Sequence, residues 1–275
     1  MDDIALQTRW KADPFLKWPG GKRWAASHIA GAVRRRLENK YFEPFLGGGA
    51  VFFCLCPRRA LLSDINGDLI NIYRMIRDHP NEVIEKLRVL PVSRAEYYRI
   101  RASEPSEPAL RAARFLYLNR TAFGGMYRLN RAGKFNVPYG GGEREPSVLW
   151  QRDILKEASA ALKNAELREA DFETALEQAG PGDVVYCDPT YTVTHDQDGF
   201  VRYNNRNFSW ADQERLAKAA SRASRRNATI MISNAHHREI RRLYRTATFE
   251  TLARFSTLCP DPSRRRTVLE YLITL

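Results

Sequence analysis

The sequence predicts an α/β fold, a Rossmann-like open sheet that carries an inserted, mainly helical domain with a β-hairpin. Three observations lead there. Short apolar runs at 41–44, 59–63, 166–170, 183–187, 228–232, 247–253 and 267–274 read as strands, and helical stretches at 23–38, 49–56, 149–163, 210–224 and 236–244 alternate with them. Between about 70 and 147 this alternation stops, and helical segments, among them 81–90 and 108–119, follow one another. The stretch 127–139 then has Asn130-Arg131-Ala132-Gly133-Lys134 at its centre, a turn between two short strands. These shifts divide the chain into a sheet-forming part, 1–70 with 148–275, and an inserted part, 71–147, with 140–146 as the linker back.

The elements that bring chemistry come in order along the chain. Pro14-Phe15-Leu16-Lys17-Trp18-Pro19-Gly20-Gly21-Lys22 is a turn flanked by cations, and taken alone it reads as a solvated N-terminal turn. Next, Tyr41-Phe42-Glu43-Pro44-Phe45-Leu46-Gly47-Gly48-Gly49 runs from a short strand into a glycine loop and a helix start, where backbone can come close to a ligand. Phe52 stands where a dinucleotide fingerprint has its third glycine, and no phosphate-cradling G-x-x-x-x-G-K-[ST] is present. A cofactor without a pyrophosphate fits this loop better. The run Ala60-Leu61-Leu62-Ser63 ends on Asp64, where a second parallel strand would offer a carboxylate to the two hydroxyls of a ribose. Finally, Val184-Val185-Tyr186-Cys187 stops on Asp188, Pro189, Thr190 and Tyr191. The exocyclic amine of adenine is a poor nucleophile because its lone pair is delocalised into the ring. Two acceptors, the Asp188 carboxylate and the Pro189 carbonyl, would hold its N–H groups so that the lone pair points at an electrophile, while Tyr191 stacks on the base. The plain alternative is a buried strand ending in an Asp-Pro turn.

The order F-L-K-W-x-G-G-K, E-P-F-x-G-G-G, S-D-x-N and D-P-x-Y resembles the Dam-like N6-adenine DNA methyltransferases, the D12 class, over nearly the whole chain. Similar phrases recur at Tyr117-Leu118-Asn119-Arg120, Phe123-Gly124-Gly125-Met126-Tyr127-Arg128, Lys134-Phe135-Asn136-Val137-Pro138-Tyr139, Ile232-Ser233-Asn234 and Glu270-Tyr271-Leu272-Ile273. The resemblance implies S-adenosylmethionine as cofactor. It puts Trp18 and Lys22 beside the methionine end, Phe45, Gly47 and Gly49 under it, Asp64 on the ribose, and Asp171 with Phe172 on the cofactor's adenine. It makes Asp188, Pro189 and Tyr191 the catalytic motif, with Asp188 also bordering the cofactor, and it sets Lys17 near the target base. DNA contacts fall on Asn119, Arg120, Phe123, Met126, Arg128, Asn136 and Pro138, and Arg128 would read a guanine-bearing pair or else clamp a phosphate. The implied target is adenine within GATC or a relaxed version of it. This chain departs from the family pattern in having Thr190 for a second proline, Gly124 for an asparagine and Met126 for a leucine.

Composition agrees with a polyanionic partner. Lys plus Arg is 44 against 32 for Asp plus Glu, a formal charge of +12, and such a surplus favours nucleic acid. Each arginine run, such as Arg34-Arg35-Arg36 or Arg264-Arg265-Arg266, reads as a solvated face and adds affinity without reading bases. Met1-Asp2-Asp3 opens no secretory signal, and no run of ~18 apolar residues spans a membrane. Cys54, Cys56, Cys187 and Cys259 lack metal or disulfide spacing, and His236-His237 reads as a helix start, so no metal is expected. Double-stranded DNA is the expected partner of a cytoplasmic, DNA-associated monomer in a prokaryote or a phage-infected host. A cognate restriction endonuclease is a compatible second partner. Three rivals stand beside this reading: a methyltransferase for RNA adenine or a protein amide, a nicotinamide-dependent oxidoreductase, and a non-catalytic DNA-binding relative. The leading Asp188 and the basic insertion oppose the first, and the missing third glycine opposes the second.

Overall fold

The structure, a computed structural model, describes residues 12–130, 132–142, 145–192, 208–255 and 267–275. Seven strands form one sheet: β1 (Tyr41–Glu43), β2 (Ala60–Asp64), β3 (Ala165–Glu169), β4 (Val184–Cys187), β5 (Thr229–Ala235), β6 (Thr248–Phe255) and β7 (Thr267–Thr274), in the order β3-β2-β1-β4-β5-β7-β6. β1 pairs in parallel with β2 and β4, and β4 in parallel with β5, whereas β7 runs antiparallel to both β5 and β6. All seven expected strands are therefore present in an α/β sheet. The parallel strands β1 and β4 are buried at every residue, as strands covered on both faces must be; β4 is apolar throughout, and in β1 the buried Glu43 accepts from the Tyr41 hydroxyl at 2.8 Å. β6 instead has only exposed and partly buried positions over 248–254, as suits a half-solvated antiparallel edge.

Ten helices accompany the sheet among the described residues: α1 (Ala26–Arg34), α2 (Ala50–Leu55), α3 (Gly67–Asp78), α4 (Pro80–Arg88), α5 (Arg94–Ala102), α6 (Pro108–Thr121), α7 (Arg152–Leu162), α8 (Phe172–Gln178), α9 (Trp210–Arg225) and α10 (Arg238–Leu243). The stretch expected over 23–38 is helical only in α1. Three helices outside the sequence expectation, α3, α5 and α8, each begin on a short polar cap. Asn66 accepts from the N–H groups of Asp68 and Leu69, Ser93 from that of Glu96, and Asp171 from that of Glu173. His237 likewise caps α10, with its Nδ1 accepting from the N–H of Glu239 at 3.2 Å, so the His236-His237 pair does mark a helix start.

The expected two-stranded hairpin at 127–139 is a correction. It is a turn with isolated bridges, Leu129 with Phe135 and Ala122 with Tyr139, rather than two strands. The turn itself is well made, because the Asn130 side chain accepts from the N–H groups of Ala132 and Lys134. Regular strands fail to extend from it because Gly124 and Gly125 have φ of 62° and 65° and Pro138 has no N–H to give a ladder.

Packing divides the chain into two compact units, 1–30 with 47–56 and 64–169, and 31–46 with 57–63 and 170–275. These bounds differ from the division expected at 70 and 148, which follows the alternation of strands and helices along the chain rather than packing. In the first unit Phe15 meets the rings of Phe53 and Tyr73 edge-on, at 6.1 and 5.0 Å between centroids. The second unit has its own core, in which Phe42, Val185 and Ile232 of the sheet pack with Leu176 of α8, Leu216 of α9 and Ile240 of α10. No helix of the described residues is long and apolar enough to cross a membrane, and among them no group of three or more His, Cys, Asp or Glu is placed to hold a metal ion. Cys54 and Cys187 are buried free thiols, Cys56 is partly buried, and Cys259 lies outside the described residues.

Candidate active site

In the first unit, Asp64 ends β2 and closes the glycine loop. Its carboxylate accepts from the N–H of Gly47 at 3.2 Å and from that of Asn66 at 3.0 Å. Burial pushes the Asp64 carboxyl above the usual aspartate range, and the backbone N–H groups of Asn66, Gly47 and Ile65 pull against it. The Tyr73 hydroxyl on α3 donates to the Gly47 carbonyl at 3.0 Å, so the peptide groups on both sides of the Gly47 Cα are held. Gly47 has φ +46°, and a Cβ there would stand 2.8 Å from the Trp18 ring; at Gly49, φ +63°, it would stand 2.8 Å from the Tyr73 hydroxyl. Only glycine fits at either place. Trp18 in turn stacks at 5.4 Å on Tyr127. Lys22 is buried, with its ammonium donating to the Gly20 carbonyl at 3.1 Å. Trp18, Gly47, Gly49 and Asp64 thus come together as one cradle, and Tyr73, which sequence reasoning missed, braces it from α3.

Also in the first unit, Lys17 and Asn119 make a reciprocal pair across 102 residues. The Asn119 Oδ1 accepts from the Lys17 N–H at 3.0 Å, and its Nδ2 donates to the Lys17 carbonyl at 2.7 Å and to the Gly125 carbonyl at 3.4 Å. The Lys17 side chain lies against Gly125, where a Cβ would come within 2.5 Å of it. Arg120 is buried beside this pair and donates to the carbonyls of Val148, Leu149 and Phe15, at 3.0, 2.6 and 3.3 Å. Burial lowers its pKa to about 10. Both Asn119 and Arg120 are therefore committed to backbone inside the unit. The other residues expected at DNA lie on the hairpin surface. Phe123 is 57% exposed, Arg128 and Pro138 are exposed, and Met126 and Asn136 are partly so. Arg128 Nε donates to Asn136 Oδ1 at 2.8 Å, which ties the two sides of the hairpin together.

In the second unit, β4 delivers the D-P-x-Y segment. Asp188 is partly buried, Pro189 buried, Thr190 exposed and Tyr191 partly buried against the core. The Tyr191 hydroxyl donates to Glu270 Oε2 at 2.6 Å, and Arg254 Nε donates to Glu270 Oε1 at 2.9 Å. Just behind the segment, the hydroxyls of Tyr186 and Ser233 share a hydrogen bond of 2.8 Å. Burial, then the nearby Asp188 charge, holds the Tyr186 phenol well above its usual range, and the same two causes push the Cys187 thiol up, leaving it inert. Phe45 stacks on Phe172 at 5.4 Å, and the Arg215 guanidinium lies 4.4 Å over the Phe172 ring. Asp171 caps α8 and pairs with Arg215. Arg215 carries no local motif, and Glu270 none that assigns it a role. The E-Y-L-I phrase around Glu270 was its one sequence signal.

The sheet is mixed, with a glycine loop after β1, an acid at the end of β2 and D-P-x-Y after β4. The chain belongs to the D12 class N6 adenine-specific DNA methyltransferases, whose family model matches residues 18–258. It is 34% identical to the Type II methyltransferase M1.LlaDCHI of Lactococcus lactis subsp. cremoris, over 95% of this chain and 94% of that relative. It is 35% identical to the Type II methyltransferase M.MjaIII of Methanocaldococcus jannaschii, over 82% and 84%. With the DNA adenine methylase of Haemophilus influenzae it shares 31% identity over 98% and 95%. The chain is an adenine-specific DNA methyltransferase, and the oxidoreductase reading falls.

Proposed function

We propose that this enzyme transfers the methyl group of S-adenosylmethionine to the N6 amine of an adenine flipped out of double-stranded DNA, within GATC or a relaxed variant of it. The observation that carries the reading is the D-P-x-Y segment at the carboxyl end of the buried parallel strand β4, since open sheets of this kind bind ligands outside the carboxyl ends of their strands. The residues fit the cofactor. A loop that excludes side chains at Gly47 and Gly49, next to a carboxylate at Asp64, suits a nucleoside without a pyrophosphate. Trp18, Lys22, Phe45, Gly47, Gly49, Asp64, Asp171 and Phe172 would hold it, with Asp188 at its border. When bound, S-adenosylmethionine supplies an electrophilic sulfonium methyl.

The rest is the work of the chain. The Asp188 carboxylate and the Pro189 carbonyl each accept one N–H of the target amine, which turns its lone pair outward. Tyr191 stacks on the flipped base and offsets part of the unstacking cost. Once the nitrogen bears the fourth bond it is acidic, and its proton passes to Asp188 or to solvent. Thr190, exposed where the family has a second proline, takes away a rigid ring but none of the groups assigned to the amine, so activity is expected to survive the change.

Residues 71–147 act as the target-recognition part and the remainder as the catalytic part. Lys17 approaches the target base, while Phe123, Met126, Arg128, Asn136 and Pro138 meet DNA directly. Asn119 and Arg120 act through the segments they brace. The enzyme works as a monomer on DNA in the cytoplasm, and a cognate restriction endonuclease is compatible with it as a second partner. Unmethylated DNA incubated with labelled S-adenosylmethionine and sequenced for N6-methyladenine tests this reading. Methylated adenines at GATC or close variants are expected. A blank result from folded protein would return the chain to the non-catalytic alternative, and sites unrelated to GATC would remove the specificity.

A further inference from the structure

Glu270 is an unusual residue for its place. It is 3% exposed on β7, next to Tyr271, Leu272 and Ile273, which are buried too. A buried carboxylate is costly unless paired, and replacing a buried ion pair by apolar side chains is often neutral or stabilising. The ladder from β7 to β5 continues through Glu270 opposite Ala235, and that to β6 passes through it opposite Leu252, using backbone groups alone. The sheet therefore has no need of the carboxylate. Its two oxygens are instead divided between Arg254, 2.9 Å away on β6, and the Tyr191 hydroxyl, 2.6 Å away on the segment after β4. Both bonds are charge-assisted, and the phenol contact has the short length of an O–H donor on an ionised acceptor. Tyr191 is thus held at both ends, its ring against the core formed by β4, β5 and β7 and its hydroxyl on Glu270.

We propose that Glu270 is a positioning residue for methyl transfer, which fixes the Tyr191 ring in the plane that receives the flipped base. The proposal rests on the catalytic reading of Asp188 to Tyr191. Arg254 completes the device by holding the carboxylate from its other oxygen, so that Oε2 stays aimed at the phenol. A stacking ring that is ordered before the base arrives loses less freedom on binding, and its angle sets the approach of the amine to Asp188.

The test is single-turnover methyl transfer by the full chain on unmethylated duplex DNA, with Glu270→Ala and Glu270→Gln each made alone and together with Tyr191→Phe. Glu270→Ala is expected to slow transfer by about tenfold, with affinity for S-adenosylhomocysteine held within about twofold. Glu270→Gln, whose amide oxygen still accepts from the phenol, should fall between it and the wild type. In the Tyr191→Phe background, where no hydroxyl remains to be held, either change at Glu270 should add less than about twofold. A role in general stability would slow both backgrounds alike, and that result overturns the proposal. So does wild-type speed in both single variants. Where Glu270→Ala does not fold, as read by thermal melting, the comparison rests on Glu270→Gln. Asp188→Ala in the same assay separates the two levels. If the wild type transfers, Asp188→Ala does not, and the Glu270 effects are independent of Tyr191, the positioning role alone falls. If the wild type does not methylate adenine, or Asp188→Ala still does, the catalytic reading falls and the positioning role with it.

Discussion

Asp64 and Asp188 stand in matching places, one ending β2 and the other following β4, yet their surroundings differ. Asp64 is met by backbone N–H groups from Gly47 and Asn66, which hold a glycine loop in place. Asp188 is followed by a proline that gives no N–H and by a tyrosine tied down at its hydroxyl. The first carboxylate belongs to a cradle that fixes backbone, and the second to a segment that fixes acceptors. One residue type at one topological position thus serves two proposed tasks, cofactor and amine, and the neighbours decide which.

That contrast can be broken at several points. The largest effect is expected from Asp188→Ala, which should slow single-turnover transfer by about a thousandfold or more because both the charge and the acceptor are lost. Transfer within tenfold of wild type would remove Asp188 from the chemistry. Gly47→Ala drives a Cβ to 2.8 Å from the Trp18 ring at a φ of +46°. It should cost about 1–3 kcal/mol, read as a lower urea midpoint together with weaker binding of S-adenosylhomocysteine. Unchanged values would mean that the cradle yields freely. Arg128→Ala touches neither carboxylate. It should remove about 1–3 kcal/mol of base discrimination, seen as a broader set of methylated adenines in a random-sequence library. Uniform slowing at all sites would make Arg128 a phosphate clamp.

The smallest effect is on pH dependence. Burial raises the Asp64 pKa, so its proton is taken up at a higher pH than by an ordinary aspartate. The ionised form is the better acceptor for ribose hydroxyls, so affinity for S-adenosylhomocysteine should fall a few-fold as pH drops through that raised value. Asp64→Asn should flatten this limb. A limb that persists in the variant belongs to another group.

The sheet was legible because its strands are short apolar runs with clear ends, and 41–44, 183–187 and 267–274 fall within a residue of β1, β4 and β7. Local caps announced α3, α5 and α8 in Asn66, Ser93 and Asp171, but such signals are weak without the packing that makes a helix worth capping. Trp18, Gly47, Gly49 and Asp64 could be named from motifs. Their mutual dependence could not, since the Gly47 amide reaches a carboxylate 17 residues away and its carbonyl a phenol 26 away. Asn119 and Arg120 show the opposite case. Their phrase suggested contact with DNA, whereas their side chains are spent on backbone more than a hundred residues distant, at Lys17 and Phe15. Glu270 stands within the E-Y-L-I phrase, but only the fold gives it a task, by bringing the hydroxyl of Tyr191, 79 residues earlier, within 2.6 Å. Polarity along a chain shows where chemistry can occur, and tertiary contacts decide which groups are left to perform it.

The division of labour between the two carboxylates is tested most directly by calorimetric titration of S-adenosylhomocysteine into Asp188→Ala and Asp64→Ala side by side. Asp188→Ala should bind within a few-fold of wild type, and Asp64→Ala should bind about tenfold or more weakly. The reverse pattern, with Asp64→Ala binding normally and Asp188→Ala losing the ligand, would contradict the account.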